Sequence, residues 1–191
     1  QTNLSSWRGL LLKALHANRS KPEAKYVQLA TLDEHQHPQV RTVVFRGFHQ
    51  EACLTMHSDT RSGKNHQLTR APDSSLCWYF AASREQFRFQ TSIDIVTPDM
   101  KTHEDLIKEH WRNLSDAARA QYFAASPGVP FDDAHNSGPV NSNLTEPCPF
   151  FSVLIARPYF VDYLNLRTKP QTRMQFRLRD EIVWEENKVN P

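Results

Sequence analysis

The 191-residue chain contains only five glycines and three cysteines, and both scarcities limit its possible functions. The cysteines, Cys53, Cys77 and Cys148, form no C-x-x-C pair, so the sequence predicts neither a disulfide framework nor a structural zinc site. The glycines form neither a G-x-G-x-x-G motif nor a G-x-x-x-x-G-K motif. The two commonest glycine-rich phosphate loops are therefore excluded.

A long apolar run and a strong net charge are also missing. No apolar stretch reaches the roughly 18 residues that a membrane helix needs, and the first residues lack the charged-then-apolar order of a secretory signal. The net charge is only +2, which does not favour nucleic acid or a membrane surface as a partner. We therefore expect one cytoplasmic domain over 1–191, with no bound metal.

Hydrophobic periodicity divides the chain into two helical parts, two groups of strands and one polar loop. In chain order these are an N-terminal amphipathic helix over 4–18, barrel strands over 26–97, a helical insert over 98–126, a loop over 127–149 and C-terminal strands over 150–191. Five strands are predicted in the first group and four in the second. This order predicts a mainly β (α+β) fold, a small antiparallel barrel with helical additions.

The segment HSDTRSGKNHQL, residues 57–68, collects groups that bind anions. Hydroxyl side chains surround Arg61 and Lys64, and Gly63 allows a ligand to approach the backbone closely. If a helix opens after Gly63, its N-terminus also favours a phosphate. A solvated polar turn is the alternative for this segment taken alone. The hydroxyls belong to Ser58, Thr60 and Ser62.

Other polar residues in predicted strands suit the same kind of ligand. In RTVVFRG, Arg41 and Arg46 are five residues apart and flank apolar side chains, which suits a ligand with an anionic end and a flat aromatic part. Gln86 lies at the start of the predicted strand that continues with FRFQ, where its amide can form hydrogen bonds with the edge of a heterocycle. The alternatives are solvated strand ends for the arginines and an exposed amide for Gln86.

The sequence contains no nucleophile-and-base pattern. G-x-S-x-G and H-E-x-x-H are absent, and no side chain is assigned as the catalyst from the residues alone. A reaction would therefore depend on a cofactor.

Taken in chain order, the motifs RTVVFRG, TRSGKNHQL, WYF with REQFRFQ, and TKPQTRMQF resemble those of the pyridoxamine 5′-phosphate oxidase superfamily, the FMN-binding split barrels. The resemblance covers 26–191 and is closest to the branch of pyridoxamine 5′-phosphate oxidase-related FMN-binding proteins. It implies a split β-barrel, FMN as cofactor and a homodimer with FMN at the subunit interface.

The resemblance also implies a role for individual residues. Arg41 matches the arginine that grips the flavin phosphate, while Arg46 replaces a lysine near the ring and the substrate and is a possible catalytic residue. Gln86 matches a glutamine that reaches the flavin across the subunit boundary. The residues implied to bind FMN are Arg41, Thr42, Val43, Val44, Arg46, His57, Ser58, Arg61, Ser62, Lys64, Gln86 and Arg173.

The chain departs from the family pattern at several positions. His57 stands in place of a tyrosine, and Gly63 in place of an arginine that the neighbouring Arg61 is expected to replace. The substrate-binding pair R-x-H falls on Lys169 and Gln171, and Gln171 has no ionisable imidazole. The same basic segment reads as a solvated hairpin turn when taken alone.

The function implied is an FMN-dependent oxidoreductase that oxidises pyridoxamine or pyridoxine 5′-phosphate, or a near analogue, with O2 as acceptor. Two alternatives remain open: an FMN-dependent NAD(P)H reductase of another small molecule, and a non-catalytic flavin-binding protein.

Overall fold

A computed structural model describes residues 6–131, 143–180 and 183–191, and within them it contains four α-helices and eight β-strands. In chain order they are α1 (Ser6–Ala17), β1 (Tyr26–Leu32), β2 (Pro38–His49), β3 (Cys53–Asp59), α2 (Gly63–Arg70), β4 (Asp73–Phe80), β5 (Glu85–Val96), α3 (Glu104–Arg112), α4 (Asp116–Ala120), β6 (Phe151–Asn165), β7 (Thr172–Arg179) and β8 (Val183–Val189). Short 3-10 turns at Pro22–Lys25, Lys101–His103 and Gln121–Phe123 complete the regular structure of these residues.

Six of the strands close into an antiparallel barrel. Their order is β3-β2-β1-β4-β5-β6, and a further pairing between β3 and β6 closes the ring. Strand β7 pairs with the second half of β6, and β8 pairs with β7, so these two strands extend the sheet outside the barrel. The predicted mainly β barrel with helical additions is confirmed.

Alternation of side chains decides which face of each barrel strand is buried. In β1, Val27 and Leu29 are buried in the barrel, whereas Tyr26 on the opposite face is exposed. The barrel core also receives Trp7 and Leu11 from α1, which lie on one face of that helix. A second apolar cluster, which includes Trp111 of α3, covers the outer face of β3 and β6.

A bulge in β2 contains Arg46. The pairing with β3 shifts between Phe45 and Gly47, so Arg46 has no direct partner residue on β3. Gly47 has a φ of 149°, a conformation that a residue with a Cβ rarely adopts, and its carbonyl accepts a hydrogen bond from Thr55 Oγ1 at 2.9 Å. Because side chains alternate along β2, Arg41 faces the barrel side and Arg46 the outer side.

The prediction of four C-terminal strands is wrong, because β6 continues through Pro158. Strand β6 pairs with β3 up to Ala156 and with β7 from Phe160 onward. Pro158 lies between these two pairings, so its missing N–H costs no hydrogen bond to β3 or β7. Its partner on β5 is Thr91, where the register of that pairing shifts. The described residues therefore contain three strands after the helical insert.

The helical insert predicted over 98–126 consists of two short helices and two 3-10 turns. The loop predicted over 127–149 is described only at 127–131 and 143–149, which contain no helix or strand. The predicted first helix, over 4–18, begins at residues 4 and 5, which lie outside the described residues. No helix within the described ranges is long and apolar enough to cross a bilayer.

Candidate functional site

Four of the predicted site residues meet near the turn between β3 and α2. Ser58 comes from β3, Ser62 immediately precedes α2, Lys64 lies in the first turn of α2, and Arg41 approaches from β2. Lys64 Nζ donates a hydrogen bond to Ser62 Oγ at 3.1 Å. Burial and then the positive charge of Arg41 lower the pKa of Lys64. We call these four residues the Lys64 cluster.

Neutral acceptors hold the side chain of Arg41 in place. Its guanidinium donates hydrogen bonds to the carbonyl oxygen of Leu29 at 3.2 Å, to Gln67 Oε1 at 2.9 Å and to Thr31 Oγ1. Thr31 Oγ1 also donates to Gln67 Oε1 at 2.6 Å. These contacts orient the guanidinium without neutralising its charge.

The two cations of the Lys64 cluster have no acidic partner. Neither Arg41 nor Lys64 forms an ion pair with a carboxylate in the described part of the chain. Burial lowers the pKa of Arg41, as it does that of Lys64. A charge removed from water is unfavourable unless an opposite charge or strong hydrogen bonds compensate it. The cluster is therefore suited to an anion.

A buried polar network supports the hydroxyl groups of this cluster. Ser58 Oγ donates a hydrogen bond to Asn65 Oδ1, and Asn65 Nδ2 donates to Ser152 Oγ at 3.1 Å. Ser62 Oγ donates to the backbone carbonyl of Asp59 at 2.7 Å. Because Ser58, Ser62, Asn65 and Ser152 are all buried, these bonds fix the positions of the hydroxyls.

The N-terminus of α2 opens toward free space. Ser62 is the residue before the helix, and its side chain caps no backbone N–H. A Cβ added at Gly63, the first helical residue, would meet no atom within 4 Å. The first N–H groups of a helix have no intrahelical acceptor and lie at the positive end of the helix dipole. This end of α2 adds donors for an anion beside Lys64.

Arg61 does not belong to the Lys64 cluster in the way that we expected. Its Nε and one terminal nitrogen contact both carboxylate oxygens of Asp59, at 3.0 and 2.7 Å. It also donates to the backbone carbonyls of Ala124 and Tyr122, at 3.0 and 3.1 Å, and lies over the ring of Phe150. These contacts tie the turn to the helical insert, and the role of Arg61 at the phosphate stays a prediction.

Arg46 and His57 lie on the opposite side of β3 from Ser58. His57 Nε2 is 2.9 Å from His110 Nδ1 of α3, and the two rings meet edge to face. Burial, followed by the charges of Arg46 and His110, lowers the pKa of His57 to about 3. Burial raises the pKa of Tyr122 to about 12, although the charge of Arg46 opposes that effect. Arg46 therefore lies close to His57, His110 and Tyr122.

The three residues between Arg41 and Arg46 that we predicted at the flavin divide between two faces of β2. Val43 is buried in the barrel core, whereas Thr42 is exposed and Val44 is half-buried on the outer face. Only Thr42 and Val44 can therefore contact a ligand on the outer surface, and Val43 supports them from within.

Gln86 and Arg173 lie on another outer surface, formed by β5, β6 and β7. Leu164 pairs with Gln86 on one side and with Arg173 on the other, so the three side chains share one face of the sheet. Arg173 forms two hydrogen bonds with the carboxylate of Asp162, at 3.0 and 2.8 Å, and Arg88 contacts the same carboxylate. Burial alone would raise the pKa of Asp162, but the hydrogen bonds from both arginines lower it below 3.8.

The predicted substrate residues lie apart from all of these groups. Lys169 and Gln171 are both exposed in the turn between β6 and β7. Within the described residues, neither side chain makes a hydrogen bond. One chain therefore presents its candidate residues on separate surfaces: the Lys64 cluster, the outer side of β2 and β3, and the outer face of β5 to β7.

Sequence patterns missed several residues that complete these surfaces. No motif points to His110, because its contact with His57 joins positions 53 residues apart. Asn65 and Gln67 belong to a short polar helix whose sequence resembles a solvated turn. Only the pairing of strands shows that Asp162 lies beside Arg88 and Arg173.

A cleft of about 660 Å³ lies between α2, the end of β5 and the turn at 100–103. Its lining includes Leu68, Ile95, His103 and Arg157, but none of the predicted site residues. Because none of the predicted site residues line it, this cleft is not the predicted site.

A family model and a curated relative both place the chain in the same protein family. The family model described as pyridoxamine 5′-phosphate oxidase, FMN-binding domain, matches residues 4–97. Over 197 aligned residues the chain is 34% identical to pyridoxine/pyridoxamine 5′-phosphate oxidase 2 from Arabidopsis thaliana, with 100% of this chain and 99% of the relative covered.

Solved structures agree with the fold. A pyridoxamine 5′-phosphate oxidase-related, FMN-binding protein from Nostoc punctiforme is 39% identical, with a TM-score of 0.90, and the match covers 99% of this chain and 100% of that one. PhzG from Burkholderia lata, solved with tetrahydrophenazine-1-carboxylic acid, is 16% identical with a TM-score of 0.78, over 100% of this chain and 94% of that one. The similarity to PhzG concerns the fold alone.

The carboxylate shared by Arg88 and Arg173 gives a prediction on stability and pH. Because hydrogen bonds lower the folded-state pKa of Asp162 below 3.8, its ionised form stabilises the fold above that pH. This contribution is lost as the pH falls through the folded-state pKa. We expect Asp162→Asn to lower the free energy of unfolding by about 1–3 kcal/mol at pH 7, and by less at pH 3.

Urea unfolding at the two pH values checks this expectation. Asp94→Asn is the matched control, because Asp94 pairs with Arg157 at 2.6 Å on the exposed surface. It should change the free energy of unfolding by less than about 1 kcal/mol. A deficit in Asp162→Asn that is the same at both pH values would contradict the assigned charge.

Proposed function

Since the chain belongs to the pyridoxamine 5′-phosphate oxidase family of FMN-binding proteins, we propose that it is an FMN-dependent oxidoreductase acting on pyridoxamine or pyridoxine 5′-phosphate, or on a near analogue, with O2 as acceptor. Its cofactor is FMN. The observation that carries the proposal is the pair of half-buried cations, Arg41 and Lys64, that have no carboxylate partner within the described residues.

The Lys64 cluster fits the phosphate of FMN. A phosphate needs positive charge and several hydrogen-bond donors, and arginine and lysine supply charge-assisted bonds. Arg41 and Lys64 provide the charge, and the first N–H groups of α2 provide donors beside Gly63. The hydroxyls of Ser58 and Ser62 would turn from Asn65 Oδ1 and the Asp59 carbonyl to donate to the phosphate. We assign the phosphate to this cluster and give Arg61 only a supporting role.

We place the flavin ring along the outer side of β2. Thr42 and Val44 would contact the ring, with Arg46 and His57 at its edge toward the substrate. The bound flavin supplies the capacity to accept a hydride and pass electrons on. The residues of this chain would hold the ring, exclude water from one face and provide hydrogen-bond donors at its polar edge.

We infer that two copies of the chain build each site. Gln86 and Arg173 lie on the outer face of β5 to β7, whereas the Lys64 cluster lies beside α2. In a two-fold dimer, a surface of one subunit can contact a different surface of the other, and the symmetry repeats this contact. Two equivalent sites result. Gln86 and Arg173 of one subunit would then reach the flavin held by the Lys64 cluster of the other.

Lys169 and Gln171 are the proposed contacts to the substrate. Both are exposed in the turn between β6 and β7, on the side of the molecule that carries Arg173. Lys169 has the charge to bind a substrate phosphate, whereas Gln171 offers only an amide. The substrate preference is therefore expected to differ from that of a relative with histidine at this position.

The phosphate assignment predicts the effect of two substitutions on flavin affinity. Lys64→Ala and Arg41→Ala each remove a charged donor, so each should weaken FMN binding by about 1–3 kcal/mol. Arg70→Ala is the matched control, because Arg70 is exposed at the other end of α2. Quenching of flavin fluorescence during titration of the apoprotein measures the affinity, and unchanged affinity in both variants would refute the assignment.

The shared site predicts complementation between defective subunits. Lys64→Ala and Arg173→Ala should each weaken FMN binding as homodimers, but a mixed dimer contains one intact site. Random pairing of equal amounts makes about a quarter of all sites intact. Co-expression followed by measurement of bound flavin tests this expectation.

The control for complementation pairs Lys64→Ala with Arg41→Ala. Both substitutions affect the same side of the site, so no mixed dimer can contain an intact one. If this control recovers as much flavin as the first pair, or if neither pair recovers any, the site is not shared between subunits.

The reaction itself is tested with the FMN-loaded protein in air. We expect O2 consumption when pyridoxamine or pyridoxine 5′-phosphate is added, and none in apoprotein prepared in parallel. If there is none with either substrate, anaerobic addition of NADPH distinguishes the alternatives. Loss of the flavin absorbance would indicate a reductase, and an unchanged spectrum would favour a non-catalytic flavin-binding protein.

A further inference from the structure

The contact between His57 and His110 joins two secondary-structure elements at the edge of the proposed substrate site. His57 lies in β3 and His110 in α3, and His57 Nε2 is 2.9 Å from His110 Nδ1. The ring centroids are 5.0 Å apart and the rings are inclined by 83°. Phe151 packs against the other side of His57, with 5.1 Å between centroids. The His57 ring is therefore held between His110 and Phe151.

The other nitrogen of His57 limits where the proton of this pair lies. His57 Nδ1 is buried and has no hydrogen-bond partner in the described residues. In a neutral imidazole, one nitrogen donates a hydrogen bond and the other accepts one. A proton on Nδ1 would leave a buried N–H without an acceptor, which folded proteins avoid more strictly than an unused lone pair. The favoured arrangement has the proton on His57 Nε2, donated to His110 Nδ1.

The tautomer of His57 determines that of His110. When His110 Nδ1 accepts a hydrogen bond, its own proton must lie on Nε2 as long as the ring is neutral. Within the described residues His110 Nε2 has no partner, and it is not among the buried nitrogens. The Nε2–H group is thus available to a ligand on the outer side of β2 and β3, near Arg46.

We propose that His57 is a positioning residue that holds His110 in the Nε2–H tautomer, so that His110 and Arg46 present adjacent hydrogen-bond donors to an oxygen of the substrate. The location of the substrate rests on the proposed function, whereas the tautomer of His110 does not. Metal binding is not needed to explain the pair, because no group of three metal-ligating side chains occurs in the described ranges.

The charged groups around the pair keep it neutral. For His110, burial lowers the pKa, and so do His49 and Arg46 on β2, while Glu109 on its own helix raises it. For His57, burial, Arg46 and His110 together lower the pKa to about 3. Tyr122 remains a neutral hydroxyl, since its pKa is raised to about 12. At neutral pH the donor from this pair is therefore a neutral imidazole.

Nuclear magnetic resonance of the FMN-loaded protein, with 15N in the histidine rings, tests this arrangement. The 15N shifts distinguish the two tautomers, and the His110 signals are assigned by comparison with His110→Gln. We expect His110 to carry its proton on Nε2 and to titrate below the ordinary histidine pKa of about 6.5. A proton on His110 Nδ1 in the unmodified protein would overturn the proposal.

Two substitutions at His57 separate positioning from packing. His57→Phe keeps a ring against Phe151 but removes the donor, so the pKa of His110 should rise and both tautomers should appear. His57→Gln places an amide N–H near the position of Nε2 and should restore the tautomer. Unchanged tautomer and pKa in His57→Phe would also overturn the proposal.

Kinetics with the substrate identified by the turnover assay provide a second measurement. His57→Phe should raise KM by roughly 3- to 10-fold, because one donor to the substrate is no longer fixed, and His57→Gln should bring it back. Equal KM values in His57→Phe and the unmodified protein would contradict the role toward substrate. If no substrate is turned over, the proposed function fails, whereas the resonance experiment still decides the tautomer.

Discussion

Two positive charges without acidic partners determine how the site of this protein is built. Arg41 and Lys64 lose part of their hydration, yet only neutral groups of the described residues contact them. Arg41 donates hydrogen bonds to Leu29 and Thr31 of the barrel and to Gln67 of α2. These acceptors fix the guanidinium but leave its positive charge uncompensated within the described residues. An anion would balance these charges, and in our proposal the flavin phosphate is that anion.

Strand β3 separates this site into two chemically different sides. On the barrel side, Ser58 joins a buried network with Asn65 and Ser152, whose bonds fix hydroxyls beside the phosphate position. On the outer side, His57 contacts His110 of the helical insert. Because neighbouring residues of a strand face opposite ways, two adjacent positions serve separate purposes. A one-residue shift of β3 would exchange them and disrupt both.

Short-range patterns predict the parts of this molecule that depend on local chemistry. Alternation correctly predicts the barrel strands, and the five-residue spacing of Arg41 and Arg46 predicts their opposite faces. Residues that depend on distant partners are not predictable in this way. Pro158 suggests a strand end, yet β6 changes neighbours there without interruption. Arg61 resembles a phosphate ligand, but Asp59 and two carbonyls of the helical insert occupy its guanidinium.

Closure of the barrel also affects how the chain behaves in a crowded solution. In the described part of the chain, β8 lies at the outer end of the sheet and pairs with β7 alone. An unpaired strand side invites other chains to add to it and to aggregate. Strand β8 has the sequence VWEENKV, in which Glu185, Glu186 and Lys188 are exposed. These charges disfavour the addition of a further strand to β8.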